Sequence, residues 1–350
     1  IADGNEAFAE AVLRLYNDEN LWNAISRNSL VFFEENYSYD AGKNRFHELI
    51  QTMKYRNLHP ASIEMKIDKI SSYAEYKEHL TRMTDEYAQR GQTEMMQIGL
   101  EPGFTTNGYC YVCGAYVSFH TTFTHASKND QQRLIPNWRE HMVCPKCSLN
   151  NRMRATIHVF ERICNPQLGD AIYLTEQTTP IFSWFKHHYY NITGSEYLGE
   201  RVPFGRPDRN GIRNETLTNL TFGNELFNFI ISLEVFEHIP DYEQALQECL
   251  RCLKPGGSLI FTVPFLRESP TTVIRARILP GGEIKHILPP EFHGDPIGNA
   301  GILCYYHFGW DLLDKLRDLG FASASANAFW SDIYGYLGIE HMLFIARKRL

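Results

Sequence analysis

The sequence predicts an α/β protein: a doubly wound, mostly parallel sheet with a small cysteine-bearing module and an N-terminal helical segment. Three observations carry this. Short apolar runs alternate with helical stretches from Ala155 onward, two tight C-x-x-C pairs precede that alternation, and helical periodicity fills the first fifty residues. With 350 residues the chain exceeds the usual single-domain size, and 43% hydrophobic against 21% charged residues describes a globular protein. No run approaches the length of a membrane span; the strongest, Phe227–Leu233, is stopped by Glu234. A formal charge of −7 argues against a nucleic-acid partner. The chain opens on Ile1 with no secretion signal, and reads as a segment of something longer. Closely paired cysteines fit a reducing compartment, so the cytoplasm is the expected location.

Four segments follow: 1–56 helical, 57–103 a helical connector, 104–154 a zinc-binding module, and 155–350 the α/β domain. In the first, Ala7, Phe8, Ala11, Val12 and Leu15, then Leu21, Trp22, Ile25, Leu30 and Phe33, recur at helical spacing, with breaks at Asn17-Asp18 and Tyr37-Ser38. The run "FAEAVLRLYNDENLWNAISRNSLVFFEENYSYDAGKNRFHELI" resembles the last helices of a retaining, family-4-like GT-B glycosyltransferase. The resemblance implies a glycosyltransferase in the same parent chain and a sugar-related acceptor, with no glycosyl transfer by this piece itself. The connector is polar and helical between Tyr73 and Ile98, ending at Gly99 ahead of Pro102-Gly103.

Cys110-Tyr-Val-Cys113 and Cys144-Pro-Lys-Cys147 are two knuckles that each offer two thiolates from one turn, enough to close a tetrahedral structural Zn²⁺ site. Their separation is long, but loop closure costs only roughly 0.6 kcal/mol per doubling, against on the order of 10 kcal/mol from the metal. Cys249 and Cys252 share the spacing but lie on the apolar stripe of a helix over Asp241–Leu253, with Ala245, Leu246 and Leu253, and read as core. Cys164 and Cys304 read as core too.

In the α/β domain, Ala171–Thr175, Asn191–Gly194, Phe227–Leu233 and Ser258–Val263 are the expected strands. Asp241 can cap the helix after the third of them, and Lys254-Pro255-Gly256-Gly257 ends it. The run "EVFEHIPD…LKPGGSLIFTVPF" resembles the fourth and fifth strands of a class I S-adenosylmethionine-dependent methyltransferase of the small-molecule branch. "YYHFGWDLLDKLRDLGF…MLFIARK" is similar to that family's last helix and closing hairpin. With the cysteine pairs and "NNRMRATIHVF", the chain resembles a zinc-bearing subgroup.

The resemblance implies a Rossmann-like fold and an S-adenosylmethionine site across the strand ends, and it departs from the family at one place. The glycine-rich donor loop is replaced by Thr175-Glu176-Gln177-Thr178-Thr179. Either hydroxyls and Glu176 hold the donor's ammonium and carboxylate, or the donor site has decayed. By position, Thr175, Glu176 and Gln177 fall near the methionine end, Glu196 at the ribose, Glu215 and Thr216 near the adenine, and Leu233 and Glu234 at the end of the fourth strand. For the acceptor side, the segment 283–307 gathers His286, Glu291, His293 and Asp295. His293 is the expected general base with Asp295 as its partner, and His286 the alternative.

The leading expectation is methyl transfer to a sugar hydroxyl or amine of a glycan or glycoconjugate. An RNA methyltransferase would use Arg152, Arg154 and Arg162 as a local basic patch, and a degenerate fold could serve as a docking module in glycan assembly.

Overall fold

The computed structural model describes residues 10, 12–14, 17–38, 65–99, 101–294 and 301–350. The chain divides into two units, Ile1–Ile63 and Glu64–Leu350. In the first, Asp18 accepts from the amide of Leu21 and caps a helix over Glu19–Tyr37 that ends at Ser38, so both expected breaks fall at helix ends. Apart from residues 10, 12–14 and 17, the rest of the glycosyltransferase-like stretch lies outside the described residues.

The second unit is organised by one seven-stranded sheet. Its strands in chain order are β1 (Ile67–Ile70), β2 (Ala171–Leu174), β3 (Asn191–Gly194), β4 (Phe227–Leu233), β5 (Leu253–Thr262), β6 (Ser323–Ser331) and β7 (Tyr336–Arg347), and they lie in the order β1-β6-β7-β5-β4-β2-β3. β3, β2, β4 and β5 pair in parallel. β7 is antiparallel to β5, β6 to β7, and β1 to β6. Three of these six pairings are antiparallel, so the sheet is mixed rather than mostly parallel, because the closing hairpin and β1 extend one side of it.

β1 corrects the reading of 57–103 as helix alone. A four-residue strand, Ile-Asp-Lys-Ile, is too short to show a period, and the polar helix behind it masks it. That helix, Tyr73–Gln97, starts where expected: Ser72 Oγ accepts from the amide of Glu75 while the Glu75 carboxylate accepts from the amide of Ser71. Between β3 and β4 the chain makes one isolated parallel bridge, Glu196 with Asn214.

Helices cover both faces. On one, the helices Tyr242–Cys252 and Asp311–Asp318 bury Leu246, Cys249, Leu313 and Leu316 against Tyr173, Leu259 and Phe261. On the other, Phe160 of the helix Asn151–Cys164 packs its ring against Phe229 and against Phe185 of the helix Pro180–His188. Burying a large apolar side chain contributes about 1.5–3 kcal/mol, which makes these two layers the main source of stability. Cys249 and Cys252 are fully buried, as read from the sequence.

The cysteine module is the hairpin Gly103–Cys110/Ala115–Thr122, joined by the short strand Met142–Val143. Its core of Phe119, Trp138 and Met142 is shared with Leu337 of β7, so module and sheet form one packed body. Among the described residues no helix is long and apolar enough to cross a membrane.

Candidate functional site

β2 connects to β3 on one side while β4 lies on the other, so the strand order reverses between β2 and β4 and opens a crevice at their carboxyl ends. Thr175 sits at this point. Its amide donates to Ile231 O at 3.0 Å and its hydroxyl to Ser232 Oγ at 3.1 Å, fixing the start of the donor loop to β4.

The loop has no glycine of its own, and Gly194 at the end of β3 takes over the close approach. A Cβ there would meet Glu176 O at 2.9 Å and the Phe182 ring at 2.3 Å. The loop is tied down by Glu196, whose Oε1 accepts from the amides of Gln177 and Thr178 and from Thr178 Oγ1, at 2.8–2.9 Å. Gln177 donates to Gly211 O and accepts from the amide of Arg213.

Two acceptors remain. Among the described residues the hydrogen bonds to the Glu196 carboxylate all go to Oε1, which leaves Oε2 without a donor, and Glu176 Oε1 is buried without a hydrogen-bond partner. Burial raises the Glu176 carboxyl to about 7, against Thr179 and Arg152, which lower it. An orphaned carboxylate oxygen where an amino-acid ammonium would sit, beside a second with free lone pairs for ribose hydroxyls, fits S-adenosylmethionine. Leu233 is buried at the end of β4, where its backbone can line the crevice.

Glu215 is placed differently from the sequence reading. Its carboxylate accepts from Arg213 Nε, the Thr221 amide and Thr221 Oγ1 at 2.6–3.0 Å, so it braces its own loop and has little left for an adenine. Thr216 pairs with Thr218.

Glu234 has a left-handed backbone (φ 56°) and takes a 2.5 Å hydrogen bond from Arg139 Nη2 of the cysteine module. Arg139 also binds Glu140, and Arg152 binds the same Glu140 carboxylate through Nε and Nη2 at 2.8 and 3.1 Å. Burial works against the Glu140 charge, but Arg152 and Arg139 hold its carboxyl down at about 2. Arg152 is therefore committed. Arg154 is fully buried against the Phe119 ring, donating to Tyr334 O, so these two arginines form no basic surface.

In the module, the four sulfurs of Cys110, Cys113, Cys144 and Cys147 gather in one cluster, with Sγ–Sγ distances of 3.9 Å (Cys110–Cys147) and 3.7 Å (Cys113–Cys144). A disulfide needs about 2.05 Å. A tetrahedron with Zn–S bonds of about 2.3 Å needs sulfurs roughly 3.8 Å apart, and the cluster has that spacing.

On the acceptor side the segment after β5 returns over the strand ends. His293 meets Glu291, with Nε2 to Oε1 at 2.9 Å, and His307 Nε2 reaches the same oxygen at 3.0 Å. Among the described residues Glu291 is the partner of His293; Asp295 lies outside them. Cys304, then Glu237 and Glu291, hold the His293 ring protonated up to about 11, so in this arrangement it donates rather than accepts a proton. His286 is exposed on the hairpin Ala276–Ile278/Ile284–His286.

The sequence reading missed Glu237 and His238, although both stand in the motif that carried the resemblance. Cys304, read as core, is buried, and its thiol is lowered against its burial by His293 and His307.

Residues 178–261 match a family model described as "Methyltransferase domain". The ubiquinone biosynthesis O-methyltransferase of Cereibacter sphaeroides is 26% identical over 160 residues, 39% of this chain and 64% of that protein. The protein of the same description from Alkalilimnicola ehrlichii is 36% identical over 67 residues, 19% of this chain and 26% of that one. The chain thus spans less than two thirds of the length of these curated relatives. Among solved structures, the Burkholderia thailandensis 1,6-didemethyltoxoflavin-N1-methyltransferase, crystallised with S-adenosylhomocysteine, aligns at 17% identity and a TM-score of 0.34, over 56% of this chain and 78% of that one. Strand order and the match over residues 178–261 together give the α/β part of this chain a Rossmann-like methyltransferase fold with a mixed sheet.

Proposed function

We propose that this chain transfers a methyl group from S-adenosylmethionine to a hydroxyl of a small-molecule acceptor. The carrying observation is the pair of unspent carboxylate oxygens at the switch point, Glu196 Oε2 and buried Glu176 Oε1. Glu196 would hold the ribose and Glu176 the ammonium, with Thr175 and Gln177 fixing the loop between them. When bound, the donor supplies an electrophilic methyl group, and alignment with the acceptor oxygen provides much of the acceleration. The chain's own part is to hold both partners and exclude water.

A hydroxyl acceptor is favoured over an amine by the curated relatives, which are described as O-methyltransferases. The finer reading is a sugar hydroxyl in a glycan or glycoconjugate. It rests on the glycosyltransferase-like run in 1–56, which would keep a newly made glycan at high effective concentration. A structural zinc on the four cysteines belongs to the same reading; it would hold the module that presents Arg139 to Glu234.

The test is methyl transfer from labelled donor to matched panels of glycosides and phenols. Label appearing as an O-methyl ether supports the reading, and preference for glycosides supports its finer form. A chain that binds donor and methylates only amines, or binds no donor, overturns it. The second outcome would favour a docking module, to which the glycine-free loop already points.

A further inference from the structure

We propose that the buried Arg154 guanidinium is the fixed countercharge of the four-cysteine cluster, and that it strengthens metal binding there without touching the metal. The proposal rests on the zinc reading given above and deepens it.

Arg154 stands on the helix Asn151–Cys164 and is fully buried. Among the described residues its guanidinium has no carboxylate partner. Nη1 donates to Tyr334 O at 2.9 Å, while Nε and Nη2 are buried without an acceptor. An unpaired buried cation is among the costliest arrangements in a protein interior, so compensating negative charge is expected within reach. Aromatic faces supply part of it: the guanidinium carbon lies 3.9 Å from the ring centre of Phe119 and 5.5 Å from that of Tyr336.

The cysteines supply the rest. Phe119 packs in one core with Cys110 and Cys144, so the same ring serves the guanidinium and the cluster. The Cys147 contact and burial raise the Cys110 thiol, and Arg154 is the cation that opposes them. Nε and Nη2 make no hydrogen bond to sulfur, so the effect is one of charge acting across a poorly screened core.

The neighbouring cations are spent or screened. Arg139 is committed to Glu234 and Glu140, and Arg152 to Glu140. Burial pushes His158 down to about 3 and His341 down to about 4, so both stay neutral. Lys146, between Cys144 and Cys147, is exposed, where water and salt screen its charge.

Four thiolates outweigh one divalent ion, so the zinc-loaded cluster holds excess negative charge in the core that Trp138 and Leu337 complete. Each buried charge then offsets the cost of the other. Without zinc the buried thiols are neutral, and Arg154 is left as an uncompensated cation. Removing its charge therefore has opposite consequences in the two forms, which loss of packing alone would not produce.

The test compares the whole native chain with Arg154→Met and Arg154→Lys, each zinc-loaded and, after chelation under reductant, zinc-free. Zinc affinity is read by competition with a chromophoric chelator. Arg154→Met should weaken it about 10–100-fold, and Arg154→Lys, which keeps the charge, should weaken it less. In urea unfolding, Arg154→Met should be less stable than the native chain when zinc-loaded and at least as stable when zinc-free. Equal zinc affinity in the native chain and Arg154→Met, or equal destabilisation of both forms, overturns the proposal and leaves Arg154 as packing. If Arg154→Met loses its near-ultraviolet circular dichroism, Arg154→Gln replaces it under the same criteria; it removes the charge and keeps a donor for Tyr334 O. A native chain that takes up no zinc refutes the zinc reading and the countercharge with it. Zinc held equally by both chains refutes the countercharge alone.

Discussion

The cysteine cluster and the Glu237–His238–His293 cluster are built by opposite strategies. The first draws its four ligands from two tight turns, Cys110/Cys113 and Cys144/Cys147, each of which reads in the sequence as a unit. The second takes an adjacent pair from the loop after β4 and one residue from a return segment more than fifty positions later, and only the fold brings them together. The first is closed by four sulfurs in a packed core with Phe119, Trp138 and Leu337. The second gathers one carboxylate and two imidazoles, with His293 partly exposed. A cluster closed in a packed core suits a structural role, and one left open suits chemistry.

The sharpest way to break the comparison is to open the closed site. Cys144→Ser should release the cysteine-bound zinc and remove on the order of 10 kcal/mol of metal-linked folding energy. The hairpin Gly103–Cys110/Ala115–Thr122 should then become protease-sensitive while the sheet retains its circular dichroism. Metal analysis and limited proteolysis check both. A zinc-free, protease-resistant Cys144→Ser variant would show that the cluster is only a group of core thiols.

A second, smaller effect is read by pH on the donor edge. The Glu176 carboxyl is raised from its ordinary 4.5 to about 7 by burial. The folded chain therefore binds this proton more tightly than the unfolded one between those values. Stability from this residue is complete below about 4.5, falls as pH rises, and levels off above about 7. The loss is at most about 3 kcal/mol. Glu176→Gln should remove that decline in urea unfolding between pH 4.5 and 8 and weaken donor binding, a gain in stability at the expense of function. An unchanged slope would mean that Glu176 is not buried as described.

The smallest effect tests the link between module and crevice. Arg139→Ala leaves Glu234 without its 2.5 Å partner, and with both side chains partly solvated the cost should be about 1–2 kcal/mol. If the module positions Glu234, donor affinity falls in Arg139→Ala with zinc content intact. If stability alone moves, the module is only packed beside the sheet.

Much of the fold was legible in the sequence because its signals are local. Phe227–Leu233 and Asn191–Gly194 have the expected bounds, and Asp241 caps its helix by accepting from the amide of Gln244. β1 was not legible, since four residues carry no period and its pairing with β6 is a long-range event. The donor candidates were read by position in a family pattern. That placed Thr175, Glu176 and Glu196 together and misjudged Glu215, whose carboxylate is taken up by Arg213 and Thr221 of its own loop. His293 was found because its segment is rich in histidine and acid. Glu291 stands in that same segment, but Glu237 on the loop after β4 was not found, because convergence of side chains distant in the chain leaves no mark on spacing.

Calorimetric titration of the whole chain with S-adenosylhomocysteine tests the central claim most directly. Binding of one equivalent is expected, weakened at least tenfold by Glu196→Ala through loss of the ribose acceptor, a change of about 1.4 kcal/mol or more. No heat and no protection from thermal unfolding at millimolar ligand, with the fold intact, would contradict the assignment of the strand-end crevice as a donor site.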